Sequence, residues 1–596
     1  MQQQSTVPQG TAGVNMGERA EPDLKAASDR RTLLSVLPIV LLIVLALFLK
    51  FHLWFQFLIN ADEFHFLEQV HSYGRGELTL PFQTFHVHFF QWLGTVSDNE
   101  VTQVMRAREV MTFLFLGACV FLFLLGRYLY GLVGAAFAVL CYLSLLFTIG
   151  NGASFRPDTL ALCPSLLAVY LFVAKKESWL ANALAGLAMA LACLFTIKAS
   201  LYLGLLVPLA ALRLATSRER TRSLARTACF AVAFLAVAIG GYALHAATLS
   251  PAESARPTEF FHEAFSIFIA LKRLSPGMFF LVTLSEDAIT WLLLALGFSI
   301  GLVDLVGRRH YLKDHPAYLL AMSLPLLSVL VYRNTFPYYY AFMMPPVILL
   351  CGYAFSRLAT AVQTVDRRLA AVVMIILPGA VFLQNYTLRY AELLKAWPMT
   401  AAQREVLAQI HEIFPQPVPY LDCPAMVASF PQVGFFMGSK GVELYLKEGR
   451  PVLSEALRTR KPVFLLANAP YLDLHPEQRP VTPAGLALVE EDWIALKSYF
   501  IHHWGPVWVV GKQFDFAREG EPRSFEIITP GTYTLEADGE VQIDGTVYHQ
   551  GEVLGLEEGS HTVKGEGAVG TVRLRWGDHL YCPSEKLDGP LFLDRF

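Results

Sequence analysis

The chain has 596 residues, of which 54% are hydrophobic and only 16% are charged, and its mean hydropathy is +0.43. Average soluble domains carry about 25% charged residues, so this composition indicates a multi-span membrane protein. The formal net charge of -3 argues against nucleic acid as a partner.

The first 32 residues are polar, and a long apolar segment follows them at 33–59. Because a polar segment of this kind buries too little apolar surface to fold, residues 1–32 are expected to form a disordered cytoplasmic N-terminus. The apolar segment begins too late and runs too long to be the core of a signal peptide. It is long enough to cross a bilayer, for which about 20 residues suffice.

The chain contains eleven apolar segments that are predicted to span the membrane. They are 33–59, 109–126, 132–149, 158–174, 179–197, 199–215, 227–247, 278–304, 316–332, 338–356 and 369–389. Every second connection carries a cluster of Lys and Arg, and short basic loops stay in the cytoplasm. The pattern therefore predicts a cytoplasmic N-terminus and an extracytoplasmic C-terminus. The β-rich C-terminal part described below resembles bacterial modules, and this resemblance implies the cell's inner (cytoplasmic) membrane.

Charged residues stand beside the span ends on the predicted outer face. The acid pair Asp62-Glu63 opens the first external loop, 60–108, directly after the first span. The basic members of this set are Arg106, Arg108, Arg156, Lys198 and Arg333. Basic residues at outer helix ends oppose the positive-inside tendency and are costly unless they are paired, reach the interface or serve a function. Together with the acids they could form one polar site under the outer membrane surface.

These residue types suit one kind of reaction. A carboxylate can take a proton from a hydroxyl or amide nucleophile, and Arg and Lys can hold a phosphate and stabilise its charge as it leaves. A phosphate leaving group at a membrane site suggests a lipid phosphate. The membrane half contains no Walker loop or dinucleotide-binding fingerprint, which fits a donor that is already activated.

Several short motifs resemble those of the GT-C superfamily of integral-membrane glycosyltransferases. The five residues from Asp62 (Asp-Glu-Phe-His-Phe) look like the Asp-Glu motif of the protein O-mannosyltransferase and aminoarabinose-transferase group. The Arg-Ala-Arg step at 106–108 and the Thr-Ile-Lys-Ala step that contains Lys198 resemble two further signatures, although Ala199 replaces the usual glycine. The Tyr-rich, Pro-ended segment 338–346 resembles a late motif of the same group. The likeness covers roughly 33–390.

The resemblance implies a polyprenyl-phosphate sugar as donor and an extracytoplasmic glycan, lipid or protein as acceptor, with inversion by direct displacement. Asp62 would be the catalytic base, although Glu63 could share this role. His65, one turn after Asp62, could tune or orient it. The implied contacts to the donor phosphate are Arg106, Arg108, Arg156, Asp158, Lys198, Arg333 and Tyr338. Members of the group generally need no catalytic metal, so no cofactor is predicted.

Simpler interpretations of the same residues stay open. Asp62 and Glu63 could instead begin a surface helix, because acids favour helix N-termini. Arg156 and Asp158 could form a local ion pair, and Lys198 could reach the interface with its long side chain. The tyrosines from Tyr338 onward could be an aromatic belt.

The sequence after residue 390 predicts an extracytoplasmic unit in two parts. Apolar strands alternate with helical patches over 391–523, which indicates an α/β region. From 524 to 596 the pattern has period two with glycine turns, including Asp544-Gly545, and this predicts a β-sandwich. A disulfide between Cys423 and Cys582 could form there if the compartment is oxidising.

The sequence therefore predicts a polytopic α-helical membrane protein of GT-C type, with catalytic spans over 33–390 and a C-terminal α/β plus β-sandwich region. The predicted function is transfer of a sugar from a polyprenyl-phosphate donor. A lipid-linked glycan ligase or polymerase remains an alternative, although such an enzyme is expected to place its key residues in a late external loop. A transporter is the second alternative, and it should show repeated halves with Gly- or Pro-broken helices.

Overall fold

The computed structural model describes residues 20–55, 57–251, 277–307, 315–332, 334–395, 397–516, 522–566, 570–585, 587 and 591–592. Its first two thirds are helical. The helices up to residue 307 are α1 (Ala20–Trp54), α2 (Ala61–Gly74), α3 (Val87–Phe90), α4 (Glu100–Tyr130), α5 (Leu132–Ser144), α6 (Leu146–Asn151), α7 (Pro157–Ala174), α8 (Trp179–Phe195), α9 (Ser200–Thr216), α10 (Arg220–Ala247), α11 (Met278–Glu286) and α12 (Ala288–Gly307). Those that follow are α13 (His315–Ala321), α14 (Pro337–Val365), α15 (Arg367–Tyr386), α16 (Leu388–Leu394) and α17 (Trp397–Ile413). Short 3-10 helices lie at Gln91–Thr95, Ile197–Ala199 and Leu324–Leu330.

Within the described residues, eight helices are long and apolar enough to cross a membrane. They are Val36–Trp54, Glu100–Tyr130, Pro157–Ala174, Ile197–Thr216, Arg220–Ala247, Ala288–Gly307, Pro337–Val365 and Arg368–Ile413. Three shorter apolar helices lie at Leu132–Ser144, Trp179–Phe195 and His315–Leu330. The protein is thus a multi-pass membrane protein, while the number of eleven spans stays a prediction.

Two predicted spans are broken in the structure. The segment 132–149 forms α5 and α6 with Leu145 between them, and the segment 278–304 forms α11 and α12 with Asp287 between them. The two breaks meet, because the carboxylate of Asp287 accepts a hydrogen bond from the backbone N–H of Leu146 at 3.1 Å. Asn385 donates a second hydrogen bond to Asp287 at 2.6 Å. The buried acid therefore satisfies backbone groups that the helix breaks expose.

Two boundaries differ from those expected from the sequence. Helix α1 begins at Ala20, inside the segment that was expected to be disordered, because 20–32 is rich in strong helix formers such as Ala, Leu and Arg. Residues 1–19 lie outside the described residues. Helix α4 begins at Glu100, so Arg106 and Arg108 lie on a helix rather than in the first loop.

Small residues allow the central helices to pack closely. A side chain added at Gly134 of α5 would lie 2.5 Å from the backbone oxygen of Gly352 in α14, and the reverse contact is equally short. Small residues at helix contacts are typical of membrane proteins, because packing rather than the hydrophobic effect holds the helices together in lipid. Helix α14 is thereby fixed against α5, with its N-terminal residues Pro337 and Tyr338 directed to the end of the bundle that carries α2.

The C-terminal unit combines helices with two sheets. Its helices are α18 (Ser439–Glu448), α19 (Leu453–Arg460) and α20 (Glu490–Tyr499), with a 3-10 helix at Pro470–Leu472. Its strands are β1 (Tyr420–Leu421), β2 (Phe464–Leu466), β3 (Phe500–Trp504), β4 (Val507–Phe516), β5 (Pro522–Ile527), β6 (Gly531–Glu536), β7 (Glu540–Ile543), β8 (Thr546–Tyr548), β9 (Val553–Leu556), β10 (Gly559–Glu566) and β11 (Gly570–Trp576). One sheet has the order β1-β2-β4-β11-β6-β9, with β3 beside β4, and the other has the order β5-β10-β7-β8.

The two sheets pack face to face, as a β-sandwich requires. Phe514 of β4 and Phe525 of β5 make a ring contact between them, with centroids 5.2 Å apart. The sequence predicted a boundary between the α/β region and the β-sandwich at 523/524, and this boundary falls inside β5. Strand β4 of the first region pairs with β11 of the second, so one sheet runs through both regions. Both residues of the Asp544-Gly545 turn have positive φ (47° and 86°), as a tight hairpin between β7 and β8 needs.

The C-terminal unit rests directly on α2 and α4. Arg75 donates hydrogen bonds to the backbone oxygens of Ala428 and Ser429 at 3.2 and 3.3 Å. The hydroxyl of Ser429 in turn donates to the buried carboxylate of Glu100 at 2.6 Å. These contacts hold the loop 422–437 over the helix that carries the Asp-Glu pair.

Candidate active site

The Asp-Glu pair lies in the first turn of α2 and takes part in its cap. The Asn60 side chain accepts a hydrogen bond from the backbone N–H of Asp62 at 2.9 Å. The Glu63 carboxylate accepts one from the backbone N–H of Asn60 at 3.2 Å, which completes a capping box. The interpretation that the two acids start a helix is therefore correct, and it leaves the side chain of Asp62 available for a further role.

Glu63 is buried and fully paired. Arg108 donates two hydrogen bonds to its carboxylate, from Nη2 to Oε1 at 2.5 Å and from Nε to Oε2 at 2.9 Å. The backbone N–H of Phe155 donates another to Oε2 at 2.7 Å. With 1% of its side chain exposed, Glu63 joins three separate segments of chain, and together with Arg108 and Arg156 it also lines the cavity described below.

Arg108 is equally occupied. Besides its two bonds to Glu63, it donates to the backbone oxygens of Trp54, Phe57 and Leu58 at 2.8, 2.9 and 3.1 Å. A guanidinium has five N–H donors, so these five bonds use all of them. The structure therefore places Arg108 as a clasp between the end of α1 and the start of α2, and not as a free phosphate ligand.

Asp62 has a different environment. Its carboxylate accepts a hydrogen bond from Nη1 of Arg156, which is buried, while 27% of the Asp62 side chain stays exposed. Burial alone would raise the pKa of Asp62, but the charge and hydrogen bond of Arg156, with smaller effects from His65 and Lys198, hold the pKa below its usual value. Asp62 is thus ionised at neutral pH and accessible.

Arg156 and Lys198 lie against the same tyrosine. The Arg156 guanidinium carbon is 3.5 Å from the ring centroid of Tyr338, and Lys198 Nζ is 4.4 Å from it. Lys198 also donates to Asp158 at 2.6 Å, and Asp158 accepts a further bond from the Thr196 hydroxyl at 3.1 Å. Cation–π contacts of this kind favour a positive charge at a desolvated position. Tyr338 therefore contributes to the site rather than to an aromatic belt alone.

The expected local pair of Arg156 with Asp158 is weak. Their closest atoms are 3.8 Å apart, which is beyond hydrogen-bond distance. Arg156 therefore has its main partner in Asp62, and Asp158 has its main partner in Lys198. The result is a chain of alternating charges that runs from Asp62 to Lys198.

A cavity of about 440 Å³ opens beside Arg156. Most of its walls are apolar, from residues such as Leu58, Phe147 and Val282. Another side of the cavity is lined by Arg389, which forms an ion pair with Glu286 of α11. A mainly apolar cavity with a few convergent charges is the usual form of a binding site for an amphiphilic ligand.

His65 closes the site on the side of the C-terminal unit. Its ring stacks on that of Phe436 with centroids 4.3 Å apart, and its Nε2 makes a 3.0 Å hydrogen bond with Gln69. Burial lowers the pKa of His65 to about 4, so the ring is neutral at neutral pH. Sequence reasoning did not identify Phe436, because no local motif connects it with a helix more than 350 residues earlier.

One expected phosphate contact, Arg106, lies apart from this cluster. Arg106 is 52% exposed and forms an ion pair with Glu109 on its own helix at 2.6 Å. It points away from Arg108, because residues two apart on a helix are roughly 200° apart around its axis. The position of Arg106 therefore lends no support to a role at the phosphate, and Arg333 lies outside the described residues.

The two cysteines of the C-terminal unit are not joined. Cys423 and Cys582 are both free, so the disulfide that an oxidising compartment would allow is not formed in the structure. Their sulfurs have different neighbours, since Cys423 Sγ lies 3.0 Å from the Tyr471 hydroxyl and Cys582 Sγ lies 3.8 Å from the His503 backbone oxygen. Among the described residues, no group of three or more His, Cys, Asp or Glu is placed to hold a metal ion.

Comparison with solved structures shows a common fold. The chain is similar to ArnT from Cupriavidus metallidurans in the apo state, with a TM-score of 0.50 and 15% identity over 72% of this chain and 92% of that chain. The same protein bound to undecaprenyl phosphate gives a TM-score of 0.48 and 15% identity over 66% and 86% of the two chains. The Archaeoglobus fulgidus oligosaccharyltransferase in the apo form gives a TM-score of 0.49 and 9% identity over 89% of this chain and 94% of that chain.

No family model matches the sequence, and a search of curated proteins finds no match. The likeness is therefore one of structure, and at this identity it establishes the fold. That fold is the GT-C fold, as the resemblance of the sequence motifs predicted. The chain is a multi-pass membrane protein of this fold, with a charged site between its helix ends and its C-terminal unit.

Proposed function

We propose that the protein is a membrane glycosyltransferase that takes a sugar from a polyprenyl-phosphate donor and transfers it to an acceptor on the extracytoplasmic side. Asp62 is the general base in this proposal, and Arg156 with Lys198 holds the donor phosphate. The C-terminal unit lies on the same extracytoplasmic side as the acceptor.

One observation carries the proposal. Asp62 is the member of the acid pair that keeps an exposed face, and it lies next to two buried cations that converge on Tyr338. Buried cations are costly unless they are paired or functional, and here Arg156 pairs with Asp62 while Lys198 pairs with Asp158. A base beside a phosphate-binding pair is the arrangement that sugar transfer from a lipid phosphate requires.

The reaction balances with these groups alone. The acceptor hydroxyl or amine gives its proton to Asp62 as its oxygen or nitrogen attacks the anomeric carbon. The bond from that carbon to the phosphate oxygen breaks, and the phosphate leaves with the electron pair. Arg156 and Lys198 stabilise the charge that builds up on this oxygen, and the configuration at the anomeric carbon inverts.

Donor binding would also release the base. Arg156 has one main anionic partner, Asp62, in the structure. A phosphate that approaches Arg156 from the cavity competes for the same guanidinium, because Arg binds phosphate and carboxylate in the same geometry. Asp62 is then free to accept a proton when the donor is in place, and the apolar walls of the cavity suit the first isoprene units.

Glu63 and Arg108 have a supporting role in the proposal. Their closed hydrogen-bond set fixes the start of α2, so it fixes the position of Asp62 one residue earlier. Shared base function between Asp62 and Glu63 is therefore not part of the proposal. Arg106 and Arg108 are likewise not part of the phosphate site.

The test uses purified protein in nanodiscs, with a panel of radiolabelled undecaprenyl-phosphate sugars and a membrane extract as the source of acceptor. We expect Asp62→Asn to lower the transfer rate by about 10²-fold or more, the range of a lost general base. Glu77→Gln, which removes an exposed acid near the end of α2, should keep the wild-type rate. Full activity of Asp62→Asn would remove Asp62 as the base. Unchanged activity of both Arg156→Ala and Lys198→Ala would remove the phosphate site.

A further inference from the structure

Two basic segments lie at the end of the helix bundle opposite Asp62. Helix α7 begins directly after Arg156 and α9 begins two residues after Lys198, so the far ends of these helices are remote from the site. The first segment, 175–178, joins α7 to α8 at that far end. The second, 217–226, joins α9 to α10 and includes the first turns of α10. Together these two segments are called the basic patch.

The two segments of the patch are held together by buried contacts. Arg213 of α9 is only 3% exposed. It donates one hydrogen bond to the backbone oxygen of Lys176 at 2.6 Å and another to the Asn182 side chain at 2.7 Å. Arg226 of the second segment forms an ion pair with Glu177 of the first. The patch is therefore one surface with a fixed shape and not two independent loops.

The patch carries an excess of positive charge. It contains six Lys or Arg and two acids, and each acid pairs with one arginine of the patch. Beyond these pairs, Lys175, Arg218 and Arg220 are exposed. The segment 308–314, which joins α12 to α13, lies outside the described residues. Its sequence has three Lys or Arg and one acid, so it cannot cancel this excess.

Exposed apolar side chains border the patch where the helices begin. Trp179 and Leu180 follow the first segment at the start of α8, with 51% and 69% of their surface exposed. Leu224, in the first turns of α10, is 58% exposed. The guanidinium carbon of Arg226 lies 5.9 Å from the ring centroid of Trp179. A tryptophan beside basic residues at a helix end is typical of the headgroup level of a membrane, where one side of the ring meets lipid.

Positive charge and an apolar border together favour one class of ligand. Lys and Arg bind the phosphate of a lipid headgroup, and exposed Trp and Leu contact its acyl chains. A soluble anion would use the charges and leave the apolar border unused. A zwitterionic lipid has no net charge to balance the excess of cations. An anionic phospholipid uses both, and anionic membrane surfaces attract Lys and Arg that lie next to a span.

We infer that the basic patch binds an anionic phospholipid through Lys175, Arg218 and Arg220, with Trp179 beside its acyl chains. The lipid belongs to the leaflet opposite the site around Asp62. It is distinct from the proposed sugar donor, whose phosphate contacts lie at the other end of the bundle. That this leaflet is the cytoplasmic one rests on the proposed function, which puts the transfer reaction on the extracytoplasmic side.

The test counts the lipids bound to the full-length protein in a non-ionic detergent by native mass spectrometry. The probes are phosphatidylglycerol and phosphatidylcholine with the same acyl chains, added at equal concentration. We expect the wild type to prefer phosphatidylglycerol by about five-fold or more, because each Lys or Arg near an anionic headgroup adds to binding. The variant Arg218→Gln/Arg220→Gln should lose most of this preference. The matched control is Arg357→Gln/Arg368→Gln, which removes two exposed arginines from the same end of the bundle.

The outcomes separate this inference from the proposed function. Equal binding of the two lipids by the wild type, or an equal loss of preference in the patch variant and its control, would overturn the inference. Loss of the preference in Arg156→Ala/Lys198→Ala would also overturn it, since the lipid would then occupy the site around Asp62. Release of phosphatidylglycerol by inorganic phosphate would assign a soluble anion to the patch instead. A wild-type protein that shows the preference but transfers no sugar would overturn only the proposed function.

Discussion

The guanidinium of Arg156 pairs with the carboxylate of Asp62, although 94 residues separate them in the chain. The pair connects the first turn of α2 with the residue that precedes α7. It keeps Asp62 ionised and holds Arg156 at the rim of the cavity next to Tyr338. The side chains of Asp62 and Arg156 are therefore positioned by each other.

The first prediction concerns the pH dependence that this pair sets. Arg156 lowers the pKa of Asp62 below the usual carboxylate range, so Asp62 stays ionised at every pH above about 5. The wild-type kcat/KM should therefore be independent of pH down to about pH 5. In Arg156→Gln the main effect that opposes burial is lost, so the pKa of Asp62 rises. The pH below which kcat/KM falls should therefore move upward. Residual transfer measured from pH 5 to 8 checks this, with Arg106→Gln as control. The same flat profile in both variants would contradict it.

Tyr338 should act through its ring. Because the ring lies 3.5 Å from Arg156 and 4.4 Å from Lys198, its removal in Tyr338→Ala frees both cations. We expect the KM for the donor to rise about five-fold or more, in line with the loss of about 1 kcal/mol or more in cation–π energy. Tyr338→Phe keeps the ring and should stay within two-fold of the wild type. A large loss in Tyr338→Phe would instead assign the role to the hydroxyl.

Two arginines on one helix should differ sharply in their effect on stability. Arg108→Ala leaves the carboxylate of Glu63 buried and unpaired, which should cost about 3–5 kcal/mol in the free energy of unfolding. Arg106→Ala removes an exposed ion pair and should change this free energy by less than about 0.5 kcal/mol. Thermal unfolding of both variants in the same detergent measures the difference. Equal melting temperatures would contradict the clasp assigned to Arg108.

Stability should fall as the pH rises from about 5 to 8, in part because of Glu68. Burial raises the pKa of Glu68 to about 7, with smaller effects from neighbouring charges. At a pH between the unfolded and the folded pKa of Glu68, the folded protein binds one more proton at this site than the unfolded chain does. The contribution of Glu68 to stability is therefore fully present at low pH and is lost as the pH rises. Glu68→Gln should reduce this loss, measured as the change in Tm between pH 5 and pH 8. Glu455→Gln, at an exposed position in the C-terminal unit, should leave the loss unchanged.

The two cysteines of the C-terminal unit should react differently with maleimide. Cys582 is exposed and should be labelled in the native protein. Burial raises the pKa of Cys423 to about 12, so its thiol should react only after unfolding. Peptide mass spectrometry of native and denatured samples shows both reactions. A disulfide-linked peptide, or resistance of Cys582 to labelling, would contradict the free state of these cysteines.

The sequence by itself predicted the membrane character, and the resemblance of its motifs to a known superfamily predicted the GT-C fold. A helix start at the Asp-Glu pair was one of two interpretations that the sequence left open. The membrane character and the helix start follow from local properties. Apolar length decides where a helix can cross a membrane, and acids after an apolar segment favour the first turn of the next helix. The alternating pattern after residue 524 likewise indicated a sandwich, because side chains of a strand alternate between two faces.

Which of the paired residues is free was decided only by the tertiary structure. Asp62 and Glu63 are adjacent and both acidic, so composition and spacing do not distinguish one from the other. The same holds for Arg106 and Arg108, which are near neighbours and both basic. Helical geometry turns neighbours to different faces, and the partners on those faces come from distant parts of the chain. Glu63 meets Arg108 and is closed in, whereas Asp62 meets Arg156 and stays open to the site. Long-range packing, which no local pattern encodes, therefore gives the two acids different surroundings.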